Sequence, residues 1–377
     1  MLDRASVLCG NVLGHPVDLA ARVEAREPSS LDTFVHDVAT IVAMELAQVR
    51  LLEEFFAVDV HSARLSLGHS IGELSAVVLG GVYEMEQLLP VPLGLAKDCA
   101  ELTIGTSIGI LSTRDVPIDV DDLQHLCNSI SSRGHGMVGP STFLSPFQIL
   151  LLGEGDTLDI FEHEMREHLP KGVTLRKKPN PWPPLHTPLV WQRNIPNRTA
   201  VAMLRVGGGE VSPRPHIISC STGSDSYDRW NSRGLLTDWT DHPQRLWDAI
   251  ENTLSSGVDL IIHVGPEPKL LPSIFDRLSA RIMKQLKSRH LGGVLGSTVI
   301  PSISRNPWIT RKLPGHAALL RAPFVRHIIL EDWLLASDIS RTARVRLTEV
   351  APTTVGKAVD EPPADNALVA GTGTNLL

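Results

Sequence analysis

No run in this chain approaches the ~18 consecutive apolar residues of a membrane-spanning helix. No two of its four cysteines (Cys9, Cys99, Cys127 and Cys220) form a CxxC pair, and its 377 residues carry no excess of positive charge, the formal net charge being -7. Each absence removes a class of function. Without a spanning segment, the chain is expected to act away from the membrane. Without a cysteine framework, neither a disulfide-stapled secreted fold nor a zinc ribbon is indicated, and a reduced cytoplasm fits. Without a basic balance, general nucleic-acid binding is disfavoured, because counterion release from a phosphate backbone requires a dominant positive face. The apolar residues near the start are interrupted by Asp3 and Arg4 and are too few for a signal peptide. His163 and His168 in HEMREH stand five apart, about 140° round a helix, and so cannot share a ligand face. No metal site is expected.

What is present is an ordinary enzyme composition, with 42% hydrophobic and 20% charged residues. That is enough to bury a core in one large α/β domain with an insert, or in two domains. Apolar residues spaced for one helical face run from Leu31 to Phe56 with no glycine or proline. A short strand, Ala63 to Leu67, leads through Gly68-His69-Ser70-Ile71-Gly72 into a further helix. From Thr106 to Leu185 the pattern becomes strand (Ser107 to Leu111), helix (Asp121 to Ile130), strand (Phe147 to Leu152), helix (Leu158 to Leu169) and strand (Val173 to Arg176). This predicts a small insert of the split βαβ sort. The strands His216 to Ser219 and Leu260 to Val264, with a helix from Gln244 to Leu254 between them and one from Lys269 to Lys287 after, are expected to share one sheet with the first hundred residues. The expected division is therefore residues 1–105 with 186–337, then 106–185, then a disordered tail at 338–377 poor in large apolar residues.

The chemistry is concentrated in GHSIG. A GxSxG turn between a strand and a helix exposes its serine at a helix N-terminus, where the dipole and the free N–H of the following residue can stabilise an oxyanion. Ser70 is thus the candidate nucleophile, and Ile71 N–H the candidate oxyanion donor. Of fifteen histidines, His186 is the best candidate base on sequence grounds, because the prolines around it at 181, 183, 184 and 188 stiffen the backbone that would aim its ring. His69 adjoins the serine and reads as a packed or orienting residue. Glu73 reads as a first-turn carboxylate favoured by the helix dipole.

The run GHSIGE followed by Leu74, Ser75 and Ala76 resembles the nucleophile motif of malonyl-CoA:acyl carrier protein transacylases and of the acyltransferase domains of polyketide and fatty-acid synthases. Residues 184–189, PLHTPL, resemble that family's segment bearing the catalytic histidine. Residues 261–266, IIHVGP, with Lys269, Leu270 and Leu271, resemble its C-terminal strand and turn. Together these motifs cover roughly residues 31–285. The resemblance implies an α/β-hydrolase-like sheet domain carrying an inserted small ferredoxin-like subdomain, with the site in the cleft between them. It implies a ping-pong acyl transfer in fatty-acid or polyketide synthesis. Ser70 with His186 as base would take the acyl group from a coenzyme A thioester, with no bound cofactor, and pass it to the phosphopantetheine thiol of acyl carrier protein. Gly68, Gly72 and His69 would line the site. A backbone carbonyl near Asp241-His242-Pro243 would orient His186, making His242 a site-lining residue.

The chain departs from the family pattern in three places. No glycine-rich turn with a glutamine precedes Leu31, and Cys9-Gly10-Asn11 is a poor substitute. No arginine occurs in the stretch from Leu93 to Ala100, where malonyl-specific members hold the free carboxylate, which leaves Lys97 as the candidate carboxylate binder. Leu185 stands where a phenylalanine is common. A thioesterase or esterase using the same GxSxG turn, and an inactive homologue used as a docking subunit, are the alternative readings. Because carrier proteins are acidic, Arg277, Arg281 and Lys284, which fall on one side of the last predicted helix, are the expected docking residues.

Overall fold

The computed structural model describes residues 1–114, 116–178, 182–288 and 315–337; the tail expected to be disordered, 338–377, lies outside them. Two helices open the chain. Helix α1 (Leu2–Leu13) stops at Gly14 in a left-handed conformation, and α2 (Leu19–Glu24) starts where the Asp18 side chain accepts the Ala21 N–H. Helix α3 (Phe34–Phe56) is long because nothing in its 23 residues breaks it, and it ends at Ala57 with φ 53°. Its first half packs on α1 and its last turns, with Val49, Leu52 and Phe56, enter a separate apolar cluster. Strand β1 (Leu65–Leu67) follows, then α4 (Ile71–Leu79), α5 (Met85–Leu88) and α6 (Pro90–Glu101).

The insert alternates as β2 (Thr106–Ser112), α7 (Val120–Ser131), β3 (Val138–Ser145), β4 (Gln148–Glu154), α8 (Thr157–His168) and β5 (Thr174–Lys178). Its sheet is antiparallel in the order β3-β4-β2-β5, the ferredoxin-like arrangement. Period-two alternation divides its faces: Ile149 and Leu151 meet Leu123, Leu126 and Phe161 of the two helices, whereas Ile108 and Leu152 face the other way, against Leu189 and Trp182. The sequence pattern shows only three of the four strands. It misses β3 because Gly139-Pro140-Ser141-Thr142 offers no apolar alternation. As an edge strand with irregular register, β3 tolerates a proline that has no N–H to pair.

The remainder consists of α9 (Ile195–Met203), β6 (His216–Ser219), β7 (Ser224–Asp225), α10 (Ser232–Asp241), α11 (Leu246–Ser255), β8 (Leu260–His263), α12 (Leu270–Ser288), β9 (Arg326–Ile329) and α13 (Leu330–Ala336). β1 and β6 pair in parallel, as βαβ organisation predicts, with β7 antiparallel beyond β6. The single sheet expected from the sequence is not formed. Instead β8 pairs in parallel with β9 in a two-stranded sheet of its own. β8 is apolar on both faces, Ile261 packing with α11 and α12 while Leu260 and Ile262 pack with α3 and α13. Such a strand needs a covered partner, and Arg326–Ile329 supplies it without any turn signal to mark it in the sequence. Among the described residues no helix is long and apolar enough to cross a membrane, and all four cysteines are free and buried.

The end of β8 is fixed by one side chain of α3. Buried Gln48 donates to the carbonyl of Gly265 (3.1 Å) and accepts its N–H (2.8 Å), closing both hydrogen bonds of that residue. Gln48→Leu should keep the volume but leave a buried donor and acceptor unpaired. The expected loss is about 2–5 kcal/mol in urea denaturation, since each orphaned group costs about 1–3 kcal/mol. A loss below 1 kcal/mol would show that water replaces the amide.

Candidate active site

Between β1 and α4 the chain reverses at Gly68-His69-Ser70. A Cβ at Gly68 would lie 2.0 Å from the Gly72 carbonyl oxygen, so glycine is required there by close approach of backbone to backbone. Ser70 itself sits at φ 53° and ψ −120°, a conformation a side chain adopts only when its surroundings hold it there. Two side chains do so. The Ser70 N–H donates to Gln244 Oε1 (3.2 Å), and the indole N–H of Trp239 donates to the Ser70 carbonyl (2.9 Å). The hydroxyl is left at the N-terminus of α4. The Ile71 N–H, first of that helix, has no acceptor among the described residues.

His186 is also held in the left-handed region, at φ 64°. Its N–H donates to the Thr240 carbonyl (2.8 Å), its Nδ1 lies 2.6 Å from the Trp239 carbonyl, and its Nε2 lies 2.8 Å from Ser70 Oγ. A carbonyl can only accept, so Nδ1 carries the proton and Nε2 presents its lone pair to the hydroxyl. Gln244 Nε2, 3.3 Å from Nδ1, is then a donor facing a donor and makes a packing contact. The Trp239 ring meets the imidazole edge to face at 5.0 Å. Burial pushes the His186 pKa down to about 4, against the opposing pull of the Trp239 carbonyl. The ring is therefore neutral near pH 7 and can accept the proton of Ser70 Oγ.

The other residues singled out in the sequence are distributed unevenly. His69 is buried, lines the cavity in front of Ser70, and is held neutral by burial with its pKa near 3. His242 is not at the site: it is exposed and paired with the Asp241 carboxylate at 2.7 Å. The carbonyl that orients His186 comes from Trp239, on the last turn of α10, and not from residues 241–243. Lys97 is exposed on α6, away from the side chains lining either cavity around Ser70. The residue beside it that does face inward is Ala96. Cys9, in the segment considered as a substitute oxyanion turn, is a core side chain of α1. Arg277 and Arg281 are exposed on α12 and reach the β3–β4 turn, Arg277 Nη1 lying 3.4 Å from Gln148 Oε1 and Arg281 stacking over Phe147 at 3.9 Å. Lys284 is exposed one turn on.

Sequence reasoning missed Trp239 and Gln244. The first acts partly through its backbone carbonyl, which has no sequence signal, and the second is one glutamine outside any motif. Glu73 stands in the first turn of α4 as its sequence reading has it, and the structure adds a role that the reading did not give it. It is fully buried and accepts the Tyr227 hydroxyl (2.9 Å) and the Cys220 N–H (3.0 Å), with burial raising its pKa to about 7. It ties α4 to the chain leaving β6.

Two cavities meet here. One lies between Ser70, His186 and the outward face of the small sheet at Ile108, Leu150 and Leu152. The other lies deeper between α3, α4, α6 and α9, and Phe34, Ile71 and Leu185 line both.

No protein-family model matches the chain, and no curated protein matches it. Its structure does match solved ones. FabD from Acinetobacter baumannii superposes with a TM-score of 0.57 at 19% identity, over 71% of this chain and 80% of that one. An acyl carrier protein S-malonyltransferase from Vibrio cholerae gives 0.58 at 19% identity, over 72% and 83%. A type II polyketide malonyl-transacylase in complex with its acyl-carrier protein gives 0.56 at 20% identity, over 72% and 82%. The chain has the fold of the malonyl-CoA:acyl carrier protein transacylases.

Two substitutions test the support of the turn. Gly68→Ala should break the approach to Gly72 and lower the melting temperature by several degrees, because the clash is with backbone that cannot rotate away. Glu73→Ala should cost about 2–5 kcal/mol in denaturant unfolding, since Tyr227 and Cys220 lose their acceptor and each orphaned donor costs about 1–3 kcal/mol. If either protein unfolds as wild type does, the turn is more plastic than its contacts imply.

Proposed function

We propose that this protein is an acyl-CoA:acyl carrier protein S-acyltransferase working through an acyl-enzyme on Ser70. The observation that carries the reading is the 2.8 Å contact between Ser70 Oγ and the unprotonated Nε2 of His186, with Nδ1 committed to the Trp239 carbonyl. The transacylase fold supports it. In the first half-reaction Oγ attacks the thioester carbonyl carbon as Nε2 takes its proton, and the Ile71 N–H steadies the oxyanion. The carbon–sulfur bond then breaks, and the imidazolium returns the proton to the departing coenzyme A thiolate. In the second, the phosphopantetheine thiol gives its proton to Nε2 and attacks the Ser70 ester, and Oγ regains a proton as it leaves. The neutral carbonyl behind Nδ1 orients the ring without adding a negative charge, which keeps the buried base uncharged between steps.

Acidic carrier protein is the acceptor in this reading. It docks on Arg277, Arg281 and Lys284, the first two of which reach the β3–β4 turn of the small subdomain, taken as residues 106–185. Cytoplasmic fatty-acid or polyketide synthesis is the setting that such a donor and acceptor imply. The competing hydrolase reading is separated from it by the acceptor: a thioesterase releases coenzyme A and free acid without carrier protein.

Ser70→Ala should abolish covalent acylation detected by intact mass, and persisting acyl-enzyme would sink the reading. His186→Ala should slow acylation by about 10²–10⁴-fold, the usual worth of a positioned base. The pH profile follows from the buried ring: protonation removes the lone pair, so acylation should stay flat through neutral pH and fall as the pH drops through about 4, rather than at the 6.5 of a free imidazole. A midpoint near 6.5 would mean that the imidazole is solvated in the working enzyme. Reversing Arg277 and Arg281 to glutamate should slow transfer to carrier protein while leaving self-acylation unchanged, and added salt should slow the wild-type transfer. Equal losses in both half-reactions would rule out a docking role.

A further inference from the structure

The deeper cavity has a lining that acyl transfer alone does not require. Val38, Leu74, Leu88, Val91, Leu95 and Met203 belong to its largely apolar wall, and among the described residues the polar side chains lining it are Cys99, Thr199, Thr240 and Trp239, whose indole N–H is given to the Ser70 carbonyl. The Thr240 hydroxyl is already spent on the Thr237 carbonyl at 2.8 Å. Among the described residues, no lysine, arginine, aspartate or glutamate lines this cavity or the one in front of Ser70. The histidines of the outer cavity, His69 and His186, are held neutral by burial. The two spaces adjoin at Ile71 and Leu185, the residues next in sequence to the candidate nucleophile and base.

Taking the acyl-enzyme reading as its basis, we propose that the chain of the Ser70-bound acyl group lies in this cavity. The donors are then thioesters of uncharged, saturated acyl chains, with Leu95 and Ala96 of α6 setting the length accepted. Two physical terms act together. Each methylene moved from water into an apolar wall favours transfer by about fourfold. A free carboxylate in the same space would be stripped of water with no cation to pair with, a cost that burial does not return. Leu95 and Val91 also line a surface groove along α6 and α9, so these two side chains are the partition between the cavity and solvent. Met203 is an adaptable wall for chains of differing shape.

The test is a competition in which the full-length protein is incubated with equimolar acetyl-, butyryl-, hexanoyl-, octanoyl- and malonyl-CoA, and the acyl groups on Ser70 are counted by intact mass at early times. Acylation should rise by about fourfold per methylene from acetyl up to the length the cavity admits, with malonyl at least tenfold below butyryl. Leu95→Ala should move the preferred length upward, by opening the partition toward the groove. Ala96→Phe should lower the ratio of hexanoyl to acetyl at least tenfold by filling the cavity. The wild-type series decides the matter even if either variant does not fold. A flat response from acetyl to octanoyl, or a preference for malonyl, overturns the assignment of the cavity while leaving the acyl-enzyme intact. The absence of label from every donor overturns the acyl-enzyme reading and this inference with it.

Discussion

Ser70 is held in a backbone conformation that its own chemistry disfavours, and most of what surrounds it can be understood as the means of holding it there. A non-glycine residue at positive φ costs on the order of 1–3 kcal/mol, and persists only under constraint. Here the constraint comes from three directions. Gly68 lets the turn close on Gly72, Gln244 takes the serine N–H, and the Trp239 indole takes its carbonyl. Trp239 then does a second task with its own carbonyl, which holds Nδ1 of His186. One residue near the end of α10 therefore fixes both members of the serine–histidine pair relative to one another.

Gln244 links this pair to the small sheet. Its backbone joins edge strand β3 on both sides, with Phe143 N–H donating to the Gln244 carbonyl and Gln244 N–H to the Ser141 carbonyl, each at 2.8 Å. Its side chain meanwhile reaches Ser70. The Ser141 hydroxyl adds a bond to the Leu185 carbonyl, next to His186. An edge strand with irregular register is an ordinary liability of a sheet. In this protein it is capped by the segment that positions Ser70, so the insert and the candidate site are ordered by the same hydrogen bonds.

The electrostatic plan is one of neutrality inside and charge outside. Burial keeps His186 and His69 uncharged, so the proposed attack by Oγ would create charge in a space where a helix N-terminus is the ready stabiliser. The arginines of α12 lie at the surface, against Phe147 and Gln148. Neither lines the cavities around Ser70.

Much of this was legible in the chain itself, because the physics involved is local. A serine between glycines, preceded by the apolar run Ala63 to Leu67 and followed by an apolar helical run, reads as a strand–turn–helix, and the alternation from residue 106 onward reads as a small layered unit. The uninterrupted apolar period of residues 34–56 likewise admits a long helix and little else. What depends on residues distant in sequence was not legible. The proline-rich segment marked His186 as a candidate, but the carbonyl that sets its tautomer belongs to Trp239, and backbone groups carry no residue code. The pairing of β8 with β9 joins segments more than sixty residues apart, and hydropathy cannot distinguish that partner from β1. The burial of Glu73 and the outward turn of Lys97 and His242 are matters of which side of an element meets the core. For Glu73 residue type suggested the opposite, and packing decided it.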